Sequence, residues 1–489
     1  MENTEERPVN PPKEAKIAMD DRQQHQGESQ FKRTLSQFCA IAASSLLTLS
    51  LGMSIGFSTI LIPELYRENA EVIVTIEELT WISSLNYFAI PLGAISSGPI
   101  SHYFGRRTTL TISTIPYIGS WLLLRFSGSH VWPIFLGFLM LGATGGVVEA
   151  PVQVYVTEIS EPRLRGSISA SVSATILLGI FLQVLFGSFM YWRTLALANL
   201  AFPVAAFVAL CLVPESPYWL ANRNRHDEAQ CALAWLRGWT TPASVTHEFQ
   251  TILDSSTAKH RHHDESSWTR YFRRSVLVPF AIVSFAFFIG CFNGSISVQT
   301  YAVLMFNKLD SPVDDHTAAI ILTGLQLIAS VLLVFIVPKA GKRKPILASL
   351  AVAGLSVLLV AVCAFLRDHK LMELKTTGYS WIPSIAVVIA IVATALGIKS
   401  IPWILAGEVF SNDVRGVATG LVGSTCNIYA ALASKIFLYM LDEMTLAGSF
   451  LFFAFVNLIG ILVLYWTLPE TEGKTLAEIQ RQFSVKKKA

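Results

Sequence analysis

The sequence predicts an all-α membrane protein whose twelve transmembrane helices form two pseudo-symmetric six-helix bundles. Its 489 residues are 52% hydrophobic and only 15% charged, and the mean hydropathy is +0.50. Because a soluble protein carries about 25% charged residues, this shortfall indicates that lipid is the main solvent. Two more observations support the class: long apolar runs recur along the chain, and short charged motifs recur between them in the same order.

The N-terminal segment is polar and charged, and it lacks the short apolar core of a cleavable signal peptide. We therefore expect a cytoplasmic disordered tail over residues 1–37. The net charge of +3 is too small to indicate a nucleic-acid partner. Five of the six cysteines lie inside apolar runs, so no disulfide framework is expected, and no cofactor is predicted.

The apolar runs number twelve, and each is long enough to cross the bilayer, which takes about 20 residues in a helix. They lie at 38–62, 81–101, 108–125, 132–156, 167–189, 194–213, 276–306, 317–337, 346–366, 381–406, 414–440 and 446–468. The predicted bundles are 38–213 and 276–468. Between them we expect a cytoplasmic linker with short helices, 214–275, and after them a cytoplasmic tail, 469–489.

The seventh run, 276–306, is longer than one span and is interrupted by the polar sequence "CFNGSISVQT". Non-helical backbone at membrane depth is tolerated only where protein covers it or where it lines a wet cavity. The seventh span is therefore predicted to be broken and to face the interior of the bundle.

The charges of the connecting loops predict the orientation, because basic loops stay on the cytoplasmic side. One side carries Arg106, Arg107 and the sequence "KAGKRK" at 339–344, whereas the other carries the acidic sequence "KLDSPVDD" at 308–315. Both termini are therefore expected to be cytoplasmic. The helical apolar spacing of 227–238 predicts a short helix along the same membrane face.

Three motifs recur in order at the same edges of the two halves. They are Glu-x6-Arg-Gly (Glu158 with Arg165, Glu408 with Arg415), Gly-Arg-Arg at 105–107 with Gly-Lys-Arg at 341–343, and "PESP" at 214–217 with "PETEGK" at 469–474. Three ordered matches predict two units of the same orientation, related by an axis along the membrane normal, as in many secondary transporters. Any one of these matches, taken alone, could also arise from the chance recurrence of a turn motif.

The charged motifs predict a latch at the cytoplasmic ends of the helices, because a Glu and an Arg there form charge-assisted hydrogen bonds. Simple anchoring by basic loops would explain the Arg residues but not the Glu residues. The predicted latch consists of Gly105, Arg106, Arg107, Glu158 and Arg165 in the first half and of Lys342, Arg343, Glu408 and Arg415 in the second.

Six motifs together resemble the sugar porter family of the major facilitator superfamily, closest to its facilitated trehalose and hexose transporters. They are "GPISHYFGRR" (98–107), "EISEPRLRG" (158–166), "VPESPYWL" (213–220), "KAGKR" (339–343), "IPWILAGEVF" (401–410) and "LPETEGKTLAEI" (468–479). The resemblance implies the major facilitator fold, a plasma-membrane location and facilitated transport of a sugar by alternating access.

The resemblance also indicates which residues would bind the substrate. Trp403 matches the aromatic residue that stacks on the sugar, Gln326 keeps an amide, and Tyr301 matches a gating tyrosine. The other family positions fall on Ser173, Gly290, Cys291, Ile296 and Cys426, with Asn427 next to the last. Losing amides reshapes a site that binds sugar hydroxyls. Ser295, Ser297 and Gln299 would replace them only after a local shift of register.

Two charged residues inside apolar runs are candidates for a cavity charge pair. Glu149 lies nine residues before Glu158, and Lys399 lies nine residues before Glu408. The repeat therefore predicts that they face each other at one depth, about 13 Å above the latch. We expect either that the two charges attract each other across the cavity or that Lys399 contacts an anionic or strongly polar substrate. The alternative is that polar groups of its own bundle neutralise each charge.

The first apolar run contains no acidic residue, which favours passive uniport over proton coupling. The alternatives are a transporter of another polar or anionic solute, proton-linked through Glu149, and a non-transporting nutrient sensor. No span carries a catalytic residue set, so an enzyme is not expected. The His-rich stretch 259–265 lacks fixed ligand spacing, so no metal site is predicted. The oligomeric state stays open.

Overall fold

A computed structural model describes residues 13–67, 70–160, 165–261, 272–369, 381–410 and 414–471, with side chains left out at 13–30, 165–173, 255–261 and 415. The first half contains α1 (Lys13–Leu65), α2 (Ile76–Phe104), α3 (Arg106–Arg125), α4 (Trp132–Ile159), α5 (Arg165–Gly187), α6 (Trp192–Asn199) and α7 (Ala201–Leu212). The linker contains α8 (Pro217–Asn222), α9 (His226–Leu236), a 3₁₀ turn (Pro242–Val245) and α10 (Thr246–Arg261).

The second half contains α11 (Arg274–Phe292), α12 (Ser295–Thr300), α13 (Ala302–Lys308), α14 (Asp315–Ala340), α15 (Arg343–Asp368), α16 (Trp381–Ala395), α17 (Ile401–Glu408) and α18 (Arg415–Thr467). Each predicted span coincides with one helix, with consecutive helices, or with one part of α18, whose backbone is non-helical at Thr445. Within the described residues, seven helices have the length and apolar composition needed to cross a membrane.

The first helix differs from the sequence prediction. A disordered tail is expected over 1–37, whereas α1 already begins at Lys13. The early part of α1 is rich in Lys, Glu, Gln, Ala and Met, which are good helix formers although they are mostly polar. The expectation is therefore corrected for 13–37, and residues 1–12 lie outside the described chain.

Helices α2 and α4 approach each other through glycines in the first half. A Cβ atom added to Gly93 would collide with the backbone carbonyl of Ala143, and one added to Gly146 would collide with the carbonyl of Ile90. Small residues at such crossings let the helix backbones come close. The resulting van der Waals packing drives helix association in lipid, where the hydrophobic effect contributes little.

Three predicted spans are interrupted by turns. The sixth span divides at Leu200, the tenth divides between α16 and α17, and the seventh divides at Asn293–Gly294 and again at Tyr301. The prediction of a broken seventh span is confirmed. The polar residues of this break are almost fully buried, so protein covers the non-helical backbone as the membrane requires.

The linker packs on the same end of the bundle as the charged motifs. Helix α9 confirms the short helix predicted at 227–238. Arg237 pairs with Glu248 at 2.6 Å, and Ser36 of α1 donates a hydrogen bond to the carbonyl of Leu236 at 2.8 Å. The ion pair holds the linker together, and the Ser36 hydrogen bond attaches the linker to the start of the first span.

Candidate functional site

Charged turns form a repeated cap at one end of the bundle, which we call the charged end. Gly105 precedes α3 with a φ of 99°, a backbone conformation that suits only glycine, and a Cβ there would collide with the Glu215 carboxylate. That carboxylate accepts the backbone N–H groups of Arg106 and Arg107, each at 2.9 Å, and of Thr108 at 3.1 Å. Glu215 thus satisfies the free N–H groups that begin α3.

The second half repeats this cap. Gly341 has a φ of 73° before α15, and a Cβ there would collide with the Glu470 carboxylate. Glu470 accepts the backbone N–H groups of Lys342 at 3.0 Å and of Arg343 at 3.1 Å. The "PESP" and "PETEGK" motifs therefore supply the caps of the two Gly-Arg-Arg-like turns.

An ion pair accompanies each cap. Arg106 pairs with Glu158 at 3.2 Å, and Lys342 pairs with Glu408 at 2.7 Å. The Ser216 hydroxyl also donates to Glu158, and the corresponding Thr471 hydroxyl donates to Glu408 at 3.1 Å. Each network lies within one half of the protein.

The structure thus brings together most of the predicted latch. Arg107 and Arg343 bind backbone carbonyls at the ends of their own halves, Leu210 for the first and Tyr465 for the second. The side chains of Arg165 and Arg415 lie outside the description, and the described partners of Glu158 and Glu408 are Arg106 and Lys342 instead. Sequence reasoning missed the caps Glu215 and Glu470, although their position in a repeated motif was a signal for them.

We expect Glu215→Gln to lower the melting temperature of the purified protein, because the amide cannot accept all the N–H groups that the carboxylate accepts. The loss should be about 1–3 kcal/mol, the usual cost of an unpaired buried donor near a helix N-terminus. Glu228→Gln is the matched control, because Glu228 is 57% exposed and pairs with Arg225 at the surface. Equal melting temperatures for Glu215→Gln and the parent would contradict the cap.

A polar site lies inside the second half, where three spans converge on one side chain. The amide oxygen Oε1 of Gln299 on α12 accepts hydrogen bonds from Lys399 Nζ at 2.5 Å and from Gln326 Nε2 at 3.2 Å. Gln299 and Gln326 are 4% and 2% exposed, whereas Lys399 is partly exposed. Gln299 therefore connects two predicted site residues, Gln326 and Lys399. From the sequence, Gln299 is expected only as a replacement for a lost amide after a local shift of register.

The local backbone explains why Lys399 reaches Gln299. Gly397 lies so close to Ser349 of α15 that a Cβ would collide with the serine hydroxyl, and the same hydroxyl accepts the N–H of Ile398 at 3.1 Å. This contact fixes the turn between α16 and α17. The two turns in the seventh span place Gln299 in the interior of the bundle. There the Thr59 hydroxyl of α1 donates a hydrogen bond to the backbone carbonyl of Gln299 at 3.0 Å.

The other predicted substrate-binding residues surround this site or lie apart from it. Cys291 donates to the carbonyl of Cys426 at 3.6 Å, and Gly290 lies against the carbonyl of Ile398. Trp403 packs edge-on against Phe287 with ring centroids 4.8 Å apart. Asn427 binds the carbonyl of Gly423 in its own helix, and the Ser173 side chain lies outside the description.

Glu149 belongs to the opposite wall of the bundle. It is partly exposed on α4, and no ion pair in the described part of the chain joins it to Lys399. The predicted charge pair is therefore open in this conformation.

Contacts between the halves close the passage at the end opposite the charged turns, which we call the closed end. Ser434 and Ser83 exchange hydroxyl-to-carbonyl hydrogen bonds across the two halves, at 3.1 and 3.5 Å. Tyr301, the predicted gate, donates to the carbonyl of Ser434 at 3.2 Å. Lys435 reaches the first half, where its Nζ lies 3.6 Å from the ring centroid of Trp81.

The contact of Lys435 is unusual, since a lysine near the end of a span ordinarily extends toward the membrane surface. Here a cation–π contact and a 3.4 Å hydrogen bond to Thr80 hold it between the halves. Apolar packing of Leu51, Tyr87 and Ile90 against Cys291 and neighbouring alanines continues the closure inward.

A family model described as "Sugar (and other) transporter" matches residues 37–483. The chain belongs to the sugar transporter family. It is therefore a transporter and not an enzyme. The facilitated trehalose transporter Tret1 of Bombyx mori is 28% identical over 92% of this chain and 87% of that protein. The Tret1 of Polypedilum vanderplanki is 30% identical over 84% and 80%, respectively.

Solved structures establish the fold of this transporter. The inward-open xylose transporter XylE from E. coli superposes with a TM-score of 0.74 over 91% of this chain and 99% of that protein, at 17% identity. XylE bound to 6-bromo-6-deoxy-D-glucose gives a TM-score of 0.70 over 92% and 100% at 18% identity. The transporter is therefore a multi-pass, nearly all-helical membrane protein with the fold of these major facilitator sugar porters.

Proposed function

We propose that this transporter moves a sugar, trehalose or a hexose, across the plasma membrane as a facilitated uniporter. The observation that carries the proposal is the convergence of Gln299, Gln326 and Lys399 on one point inside the bundle of a sugar-transporter-family chain. Amide groups donate and accept at once, which suits sugar hydroxyls, and Trp403 offers a ring for stacking. The names of the similar trehalose transporters support the same substrate class.

The proposed mechanism is alternating access. With basic loops on the cytoplasmic side, the closed end faces outward, and the charged end with both termini faces the cytoplasm. Solute then enters from one side, binds between the halves and leaves when the halves rock about the site. In this scheme the capped ion pairs Arg106–Glu158 and Lys342–Glu408 keep each half rigid, so that it moves as one body.

We expect purified transporter in proteoliposomes to take up labelled trehalose or glucose saturably and without an ion gradient. Preloading with unlabelled sugar should accelerate the uptake, and a pH gradient should leave it unchanged, because no acidic residue lies in the first span. Trp403→Ala should lower uptake about tenfold by removing the stacking surface. Protein-free liposomes give the background. Uptake no faster than this background for every neutral sugar would contradict the proposal.

A second candidate is transport of an anionic polar solute, with or without proton linkage through Glu149. The observation that favours it is the ammonium group of Lys399, whose charge lies inside the bundle beside neutral amides.

A further inference from the structure

The Lys399 ammonium lacks a carboxylate partner within the described part of the transporter. Its hydrogen bond goes to the neutral Gln299 Oε1, and the carboxylates of the ion pairs at the charged end belong to other residues. An isolated charge at membrane depth is costly, and such charges usually mark substrate or ion pathways. Lys399 therefore offers a positive group to a solute that brings its own negative charge.

The turn that carries Lys399 adds to this positive character. The last carbonyls of α16 are already satisfied, since Lys399 N–H donates to Thr394 at 3.0 Å and the Ser400 hydroxyl donates to Ala395 at 3.2 Å. The N-terminal end of α17 follows immediately at Ile401, and helix N-termini favour negative groups. Discontinuous helices in other transporters direct such ends at anionic substrate groups.

Helix α4 of the first half carries a group, the Glu149 carboxylate, that could bind a different part of the same solute. Glu149 on α4 has a partly exposed carboxylate, and a carboxylate accepts hydrogen bonds from hydroxyl groups. No ion pair in the described structure joins Glu149 to Lys399, so the two charges are not paired. A solute that reaches both residues would carry a negative group at one end and hydroxyl groups at the other.

We propose that the passage binds a hydroxylated carboxylate, such as a hexuronate, with its carboxylate on Lys399 and its hydroxyl groups toward Glu149. This inference rests on the second candidate function, transport of an anionic polar solute, because it names the substrate class that would bind in the same passage. Gln299 and Gln326 then position Lys399 and bind the solute's remaining oxygens.

The test compares labelled D-glucuronate with labelled D-glucose, which differ at one carbon, in proteoliposomes clamped at zero membrane potential. We expect the parent to show a KM for glucuronate at least about tenfold lower than for glucose, since a charge-assisted hydrogen bond is lost with the neutral sugar. Lys399→Met should abolish this preference, so that the KM values for glucuronate and glucose become similar. Lys399→Arg should keep much of it. Lys308→Met, at the exposed C-terminal end of α13, should match the parent.

A second measurement covers the case in which Lys399→Met folds poorly. Glucuronate should raise the melting temperature of the parent and of Lys399→Arg, and glucose should raise it less. Glucose uptake by the parent with rejection of glucuronate would overturn this inference and leave the proposed function standing. Failure to move glucose, trehalose and glucuronate alike would overturn the proposed function itself.

Discussion

Gln299→Leu should abolish most transport, with uptake falling on the order of a hundredfold. The substitution keeps the side-chain volume but removes the oxygen that accepts from both Lys399 and Gln326. Two hydrogen bonds are lost, one of them to a charged group, at about 1–3 kcal/mol each, and the ammonium is left without its acceptor. Initial rates of sugar uptake in proteoliposomes, normalised to inserted protein, measure the effect.

A second buried glutamine supplies the control for this prediction. Gln183 on α5 is fully buried, and both of its amide atoms lack a hydrogen-bond partner within the described structure. Gln183→Leu therefore removes an unsatisfied polar group and should leave uptake unchanged while stability stays equal or rises. Equal uptake by the two leucine variants would show that Gln299 has no part in the site.

Gly93→Ala should prevent the first half from packing, with a cost of about 3 kcal/mol or more. The added methyl group would meet the backbone carbonyl of Ala143, which has no rotamer to move away. Helices α2 and α4 would have to separate, and overpacking of this kind is costly in a close-packed interior. The yield of monodisperse protein and its melting temperature in detergent measure the effect.

Gly98→Ala is the matched control, since it makes the same change five residues further along α2. A Cβ at Gly98 meets no atom within 4 Å, so the alanine should be neutral or should stabilise the helix slightly. If Gly93→Ala and Gly98→Ala melt at the same temperature, the close approach of α2 and α4 does not limit stability.

Much of the architecture follows from the sequence because lipid imposes simple rules. Apolar runs of about 20 residues mark the spans, and the polar interruption of the seventh run marks its break. The doubled motifs around Gly105 and Gly341 predict the repeat, since the same turn needs the same residues in both halves. The family resemblance rests on the same motifs and is confirmed by the family match.

The polar site was harder to predict, because counting along a helix fails where the helix breaks. The family positions of the seventh span fall on Gly290 and Cys291, whereas the turns at Asn293–Gly294 and Tyr301 set the direction of α12 and bring Gln299 to Gln326 and Lys399. The position of a break is visible in the sequence, but its effect on direction depends on packing. The partner of Lys435 escaped prediction for a similar reason, since Trp81 is distant in the chain and near only after folding.

The polar part of the seam at the closed end consists of hydroxyl groups, backbone carbonyls and one lysine that lies on an aromatic ring. When these contacts break, water forms hydrogen bonds of almost equal strength with the freed groups. The polar contacts therefore add little to the free-energy difference between the closed and open states. A solute that binds with modest affinity can then shift the equilibrium between the closed and open states. This small difference suits the proposed uniport, in which the gradient of the solute alone drives the exchange between the two states.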